Sequence, residues 1–508
     1  MKFTEKFKTK KRSIMVLGTS SGVGKSIIVT ALCRIFKDLG EEPIPFKAQN
    51  MSNNAWVDFN GGEMAYSQAI QAFAAKLIPS SKMNPILLKP QGDATSEVIH
   101  LGKSVGISTA RNYYENWFEP GWNLTKQAIK KIIDENPNYR LIIEGAGSPV
   151  EMNLKHRDIT NLKVAKYLEA DCILVADIER GGVFAQIIGT LELMTPEEKR
   201  LIKGIIINRF RGDISLFNEG KKWLENKTKI PILGILPFLN DELPKEDSLD
   251  LNNLEKYKKE SDLKVGIIKF PSISNFSDFD PLEQEDTIEL KWIKRSQRLD
   301  KFDLIILPGS KQTIKDLEFI NSTGISRNIE EYANLKGNIF GICGGLQMLG
   351  EKLEDPFSNQ GIVNHKIKSI KGIGLLPLST KFKKRKKTRQ VTCNALWPCQ
   401  TIINGFEIHN GISEIICEKS HKILSIAKEE NIGWYYKKVK RGTIVGTYLH
   451  GIFENDIWMT SYINLIRREK GLPKLDKINK NYKIKRESII INLALHFSKY
   501  VNISILIN

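Results

Sequence analysis

Gly18-Thr19-Ser20-Ser21-Gly22-Val23-Gly24-Lys25-Ser26 comes after a short apolar run, Ser13-Ile14-Met15-Val16-Leu17, and opens a stretch, Ile27 to Phe36, whose apolar spacing suits a helix. Strand, glycine loop, helix is the order a phosphate-binding loop requires. Glycines let the backbone wrap an anion, consecutive N–H groups turn inward, and the new helix adds the positive end of its dipole. In such a loop Gly22 and Gly24 shape the turn, Lys25 reaches the β- and γ-phosphates, and the Ser26 hydroxyl joins Mg²⁺. The loop is one residue longer than the common pattern.

Outward from this loop, apolar runs alternate with helical stretches up to about residue 240: Ile14–Leu17, Leu141–Ile143, Cys172–Ala176, Ile205–Ile207 and Ile232–Leu236. They are continuous and β-branched, as expected of parallel strands covered on both faces. Ligands gather at the carboxyl ends of such strands, so the residues just past each run are informative. Glu144 lies directly after the second run in a Gly-rich turn, placed to serve Mg²⁺. Asp177 begins a polar, Gly-rich loop, and Asn208 offers a donor and an acceptor to an adenine edge. Pro45-Phe46-Lys47-Ala48-Gln49-Asn50-Met51 carries an isolated lysine, Lys47, and Asn84 to Pro90 leads into Asp93-Ala94-Thr95-Ser96-Glu97-Val98. Both stretches are rich in side-chain donors suited to a carboxylate-bearing substrate.

Residues 241–262 turn charged and apolar-poor, which marks a linker. A second α/β pattern begins after it, with strand-like Val265–Ile268, Leu304–Leu307 and Ile339–Phe340. The last leads into Gly341-Ile342-Cys343-Gly344-Gly345-Leu346, a nucleophile elbow with cysteine in the serine position. A helix N-terminus favours the reactive thiolate. The Gly344 N–H is placed to stabilise an oxyanion, and Pro308-Gly309-Ser310 presents another donor through Gly309. Among seven histidines, His450 lies at the end of the strand Ile444–Leu449, where a catalytic base belongs. His409, alternating with Glu407 on one strand face, is its rival.

A chain of 508 residues is too long for one ordinary core. The organisation expected is 12–240, the linker 241–262, 263–455, and a helical tail 456–508. In the tail Ile489, Ile490, Leu493, Ala494 and Phe497 recur at helical spacing and predict a helix packed on the protein. The net charge of +18 invites an anionic partner. The excess lysine, however, accompanies abundant isoleucine and asparagine, and the densest cluster, Lys381 to Arg389, reads as a solvated loop or edge rather than a nucleic-acid site. Cys33, Cys172, Cys343, Cys393, Cys399 and Cys417 lack C-x-x-C spacing, so neither zinc nor a disulfide framework is implied. A reducing, cytoplasmic setting is expected. The basic start, Met1 to Arg12, lacks the apolar core of a secretory signal, and no apolar run spans a bilayer.

The first half resembles the dethiobiotin synthetase-like P-loop ligases, in which this longer loop is usual. The second resembles class I glutamine amidotransferases. The two fused, with Pro45 to Met51, Glu144-Gly-Ala-Gly-Ser-Pro-Val-Glu-Met-Asn153, Ala176-Asp-Ile-Glu-Arg-Gly-Gly-Val-Phe-Ala185 and Ser274-Asn-Phe-Ser-Asp-Phe-Asp-Pro-Leu282, resemble the cobyric acid synthase family from about residue 13 to 470. The resemblance implies an α/β fold of two doubly wound domains, an N-terminal P-loop sheet, mostly parallel, and a C-terminal glutamine amidotransferase-like sheet. It implies amidation of the b, d, e and g carboxylates of adenosylcobyrinic acid a,c-diamide with glutamine, ATP and Mg²⁺. Its partners would be these small molecules, with no nucleic acid and no membrane. Cys343 would attack glutamine with His450 shuttling the proton; Lys25, Ser26 and Mg²⁺ would hold ATP. Many class I amidotransferases carry His-x-Glu, but Ile452 stands two residues after His450, and Glu407 offers itself as the substitute. Two alternatives stand beside this reading: a cobyrinic acid a,c-diamide synthase-like amidoligase, and a ParA/MinD-like ATPase with a non-catalytic second domain.

Overall fold

The computed structural model describes residues 11–92, 94–239, 261–335, 337–358, 360, 369–416, 423–429, 431–437, 442–476 and 482–507. Nearly all of the expected linker, together with Asp93, Cys417 and the start of the chain, lies outside them.

The apolar runs of the first half form a six-stranded parallel sheet. Its spatial order is Ile232–Pro237, Ile202–Phe210, Asp171–Asp177, Ile14–Gly18, Tyr139–Glu144, Glu42–Phe46. Ile14–Gly18 shows why its run is continuous: Met15 and Leu17 enter one core, Ile14 and Val16 the other, and both faces are covered. This strand is central, so its carboxyl end delivers the glycine loop between the ends carrying Glu144 and Asp177. The helix Lys25–Asp38 comes at once after the loop.

The second half builds a seven-stranded sheet in the order Ile288–Ile293, Leu263–Ile268, Leu304–Leu307, Asn338–Ile342, Thr443–Thr447, Gly433–Lys437, Leu424–Ser425. The first five pair in parallel and the last two antiparallel. Asn338–Ile342 and Thr443–Thr447 are neighbours running the same way. Side chains just past their carboxyl ends therefore meet, which brings Cys343 and His450 together across some hundred residues of sequence.

Two further sheets carry part of the contact between the halves. Gln49–Met51, Ile86–Gly92, Thr95–His100 and Lys103–Thr109 form one. In the other, Leu378–Ala395 and Thr401–Ile415 make a long hairpin. The basic stretch Lys381–Arg389 lies on this hairpin. Lys381, Lys383, Lys384 and Arg385 are exposed as expected, but Lys386 is not. Its Nζ reaches Glu63 (2.9 Å) and Glu97 (2.9 Å), Glu63 also holds Lys89 (2.6 Å), and Glu97 holds Lys311.

The C-terminal helix Tyr482–Tyr500 buries Ile490, Leu493, Ala494 and Phe497 against the glycine-loop helix, in the same core as Ile28, Leu32 and Phe36. Each such large side chain contributes roughly 1.5–3 kcal/mol. The helix also touches both halves through polar contacts: Glu487 meets Arg34 at 2.6 Å, and Lys485 donates to Gln284 O at 2.6 Å. Among the described residues no helix is long and apolar enough to cross a membrane.

Candidate functional site

The glycine loop has the backbone its sequence demands. Gly22 and Gly24 have φ of +72° and +101°, values that favour glycine. A Cβ on Gly24 would stand 2.3 Å from Asn208 Nδ2, so a side chain there is doubly excluded. Asn208 Nδ2 donates to Val23 O (2.8 Å) and Oδ1 accepts from Arg209 N (2.9 Å). Its amide thus braces the loop. The residue also borders a hollow walled by Ile27, Ile28, Leu236, Leu493 and Phe497. Lys25 Nζ donates to Ser20 O (3.0 Å) and Gly147 O (3.1 Å), which draws the turn after Glu144 over the loop.

Three residues singled out from sequence converge here. Glu144 is 1 % exposed. Its Oε1 accepts from Ser26 Oγ (2.9 Å) and Lys47 Nζ (2.7 Å), and its Oε2 accepts from Gln71 Nε2 (2.5 Å) and Gln68 Nε2 (3.3 Å). A buried carboxylate next to a hydroxyl at the loop is a hard oxygen donor set. No group of three or more His, Cys, Asp or Glu that could hold a metal occurs among the described residues. The Glu144–Ser26 pair has the oxygen chemistry of a site for an ion such as Mg²⁺, which keeps waters and phosphate oxygens and takes few protein ligands.

At the second centre Cys343 occupies a strained elbow, φ 50° and ψ −104°, between Asn338–Ile342 and the helix Gly344–Leu349. Only small residues permit this turn. A Cβ on Gly344 would come within 2.8 Å of Ser310 N, so the Gly309–Ser310 strand lies directly over the helix start. The backbone of Gly309–Ser310 is thereby packed against that of Gly344. Asp316, which burial pushes up to about 6, accepts from Ser310 Oγ (2.5 Å) and Ser272 N (3.1 Å) and anchors that strand. The thiol donates to Ile408 O at 3.6 Å.

His450 is wholly buried, with Phe406 stacked on its ring at 5.3 Å. Its Nδ1 lies 2.7 Å from Asp278 Oδ2, while Gly451 N donates to Asp278 Oδ1 at 2.8 Å. Nε2 has no hydrogen-bond partner among the described residues. Burial disfavours the charged ring, but Asp278 on one side and the Cys343 sulfur on the other outweigh it, and the imidazole is pushed up to about 10.

The expected substitute, Glu407, is not beside His450. It accepts from His409 Nε2 (3.1 Å), Lys387 (2.9 Å) and Arg389. Burial would raise its carboxyl, but the hydrogen bonds from these three side chains hold it down to about 2. His409 is occupied with Glu407 and with Gly411 O (2.7 Å), and it stacks on Tyr448. The acid at His450 is Asp278, on the turn Phe276–Phe279. The only signal for it was its place inside the Ser274–Leu282 motif, since 172 positions separate it from His450.

A family model described as a CobQ/CobB/MinD/ParA nucleotide binding domain matches residues 14–249, and one described as a CobB/CobQ-like glutamine amidotransferase domain matches 264–458. Cobyric acid synthase of Prochlorococcus marinus strain MIT 9515 is 65% identical over 512 residues, covering 100% of both chains. That of strain NATL2A is 55% identical, covering 98% of this chain and 99% of its own. A solved glutamine amidotransferase covers 41% of this chain and 99% of its own at a TM-score of 0.30 and 13% identity, too distant to inform the site. With both domains in this order and an end-to-end match at this identity, the chain belongs to the cobyric acid synthase family.

Proposed function

We propose that the chain uses ATP and glutamine to amidate the b, d, e and g carboxylates of adenosylcobyrinic acid a,c-diamide, with domains at 12–240 and 263–455. Family membership makes it a glutamine-hydrolysing amidoligase. The Cys343–His450–Asp278 arrangement is the observation that carries the nitrogen-releasing half.

Glutamine hydrolysis begins when the Cys343 thiolate attacks the side-chain amide carbon, the resulting oxyanion taking hydrogen bonds from the backbone of Gly344 and Gly309–Ser310. The C–N bond then breaks as the His450 imidazolium gives its proton to the departing nitrogen. Ammonia leaves, and a γ-glutamyl thioester remains on Cys343. Neutral His450 next takes a proton from water, the hydroxide adds to the thioester, and glutamate departs with the thiolate restored. Asp278 keeps the ring's Nδ1 protonated throughout.

At the other centre a corrin carboxylate oxygen attacks the γ-phosphorus of ATP and ADP leaves. Ammonia adds to the acyl phosphate, loses a proton and displaces phosphate. Without this step the leaving group would be oxide. Gly22, Gly24, Lys25 and Ser26 hold the phosphates, and Lys47 meets charge developing on the transferred group. Asn208 fixes the loop beside the base. Ser26 and Glu144 would hold Mg²⁺, which when bound screens the phosphate charges.

The test is mass spectrometry of corrinoid products. Incubation of the a,c-diamide with ATP and glutamine should convert four carboxylates to primary amides; product that stops earlier, or no product, refutes the reading.

A further inference from the structure

The turn that orients His450 is held from the other half of the molecule. Asn275 N donates to Asn53 O (3.2 Å), Asn275 Nδ2 donates to Ala55 O (2.7 Å), and Ser277 Oγ donates to Asn54 Oδ1 (2.8 Å). Asn54 and Asn275 are each 1 % exposed. Asn275 takes a left-handed φ of 51°, and its carbonyl accepts from Asp278 N at 3.0 Å, closing the turn.

The same stretch reaches the ATP centre at its other end. Asn50 Nδ2 donates to Gln68 Oε1 (2.9 Å) and Ser67 Oγ (3.1 Å), and Gln68 in turn donates to Glu144. From residue 50 to residue 54 the chain spans at most about 14 Å. One short segment therefore touches the acid-activating cluster and the histidine-orienting turn.

We infer that Asn54 and Ser277 are positioning residues for glutamine hydrolysis: residues 53–55 of the ATP half hold the 275–278 turn in the only placement that lets Asp278 serve His450. This rests on the assignment of Cys343, His450 and Asp278 above. Asp278 must satisfy two donors at once, Gly451 N and His450 Nδ1. Hydrogen bonds weaken steeply with misalignment, so a small rotation of the turn forfeits one of them. The glutaminase is thus complete only where the ATP half contacts it.

The experiment uses the full chain with Asn54→Leu, Asn54→Asp and Ser277→Ala. It measures glutamine hydrolysis directly, together with glutamine- and ammonia-dependent amidation of the a,c-diamide. Asn54→Leu and Ser277→Ala are expected to lower kcat for glutamine hydrolysis about tenfold, the scale of one lost hydrogen bond. KM for glutamine and ammonia-dependent amidation should stay within about twofold. Asn54→Asp keeps an acceptor oxygen for Ser277 and should restore most of the kcat. Unchanged kcat in both Asn54→Leu and Ser277→Ala, or equal loss with glutamine and ammonia, overturns the inference. Failure of the wild type to amidate the corrinoid would refute the substrate instead, and the hydrolysis assay would still decide the role of Asn54.

Discussion

Replacing Asp278 by Asn tests the glutaminase centre with one change of atom. Asp278 Oδ1 accepts from Gly451 N at 2.8 Å and Oδ2 faces His450 Nδ1 at 2.7 Å. An asparagine there must keep its oxygen toward Gly451, a fixed backbone donor, so its NH₂ points at Nδ1. The histidine must then accept at Nδ1 and carry its proton on Nε2, the wrong tautomer to take a proton on the Cys343 side. The energy is large: displacement from 6.5 to about 10 corresponds to roughly 5 kcal/mol in favour of the charged ring at 1.36 kcal/mol per pH unit. Removing the carboxylate leaves only the Cys343 sulfur to oppose burial, and the ring's proton affinity falls. We expect kcat/KM for glutamine to fall about 10²- to 10⁴-fold, with ammonia-dependent amidation within about twofold. Because folding raises this histidine's proton affinity, the stability it contributes is fully present below 6.5 and is lost as pH rises through about 10. Glutamine use by the wild type should decline over the upper part of that window, and in Asp278→Asn at lower pH. Glutamine kinetics within about threefold of wild type near neutral pH would refute the assignment.

Cys343→Ala should abolish glutamine use while ammonia-dependent amidation persists; loss of both in a folded variant would show that the two centres do not act separately. Glu144→Gln should do the opposite, lowering amidation from either nitrogen source by about 10² or more and leaving glutamine hydrolysis intact, as measured by ADP and glutamate release. Phe497→Ala should cost about 3–5 kcal/mol of stability, read from the denaturant midpoint; a cost below about 1 kcal/mol would mean that the C-terminal helix is not part of the first core.

Where sequence distance was short, the chain announced its chemistry. The glycine loop, Glu144 and Cys343 each sit at the end of an apolar run, and the pattern of a buried parallel strand locates its carboxyl end to within a residue. Lys47 was visible as an isolated lysine after the edge strand Glu42–Phe46. Asp278 was not visible in this way, because the strand before its turn, Ile273–Ser274, is only two residues long and leaves no apolar run to read; it pairs with Gly309–Ser310. Glu407 shows the converse error. Alternation on Thr401–Ile415 does put it on one face with His409, but that pair satisfies itself. The basic run misled in the same direction: periodicity cannot reveal that Lys386 alone meets two buried carboxylates from another part of the chain.

Beside an apolar patch that packs Ala55, Val57, Leu87 and Ile99 on Phe406 and Ile408, the halves share polar ties that bear on the mechanism. Glu63, Lys89, Glu97, Lys311 and Lys386 form a buried ionic cluster, and the 275–278 turn is held by amides and a hydroxyl. Burial pulls Lys311 down to about 8 against the pull of Glu97, whereas Glu63 and Glu97 raise Lys386 despite burial. Such groups add little net stability over apolar side chains, because desolvation offsets most of the attraction. They do fix geometry, since a displaced partner leaves a buried charge uncompensated. Lys311 directly succeeds Gly309–Ser310, and Asn54 holds the turn of Asp278. The ties thus fall on the two elements whose placement, to a fraction of an ångström, decides whether Cys343 can release nitrogen. An apolar contact of equal area would bind the halves as firmly and leave that register free to slide.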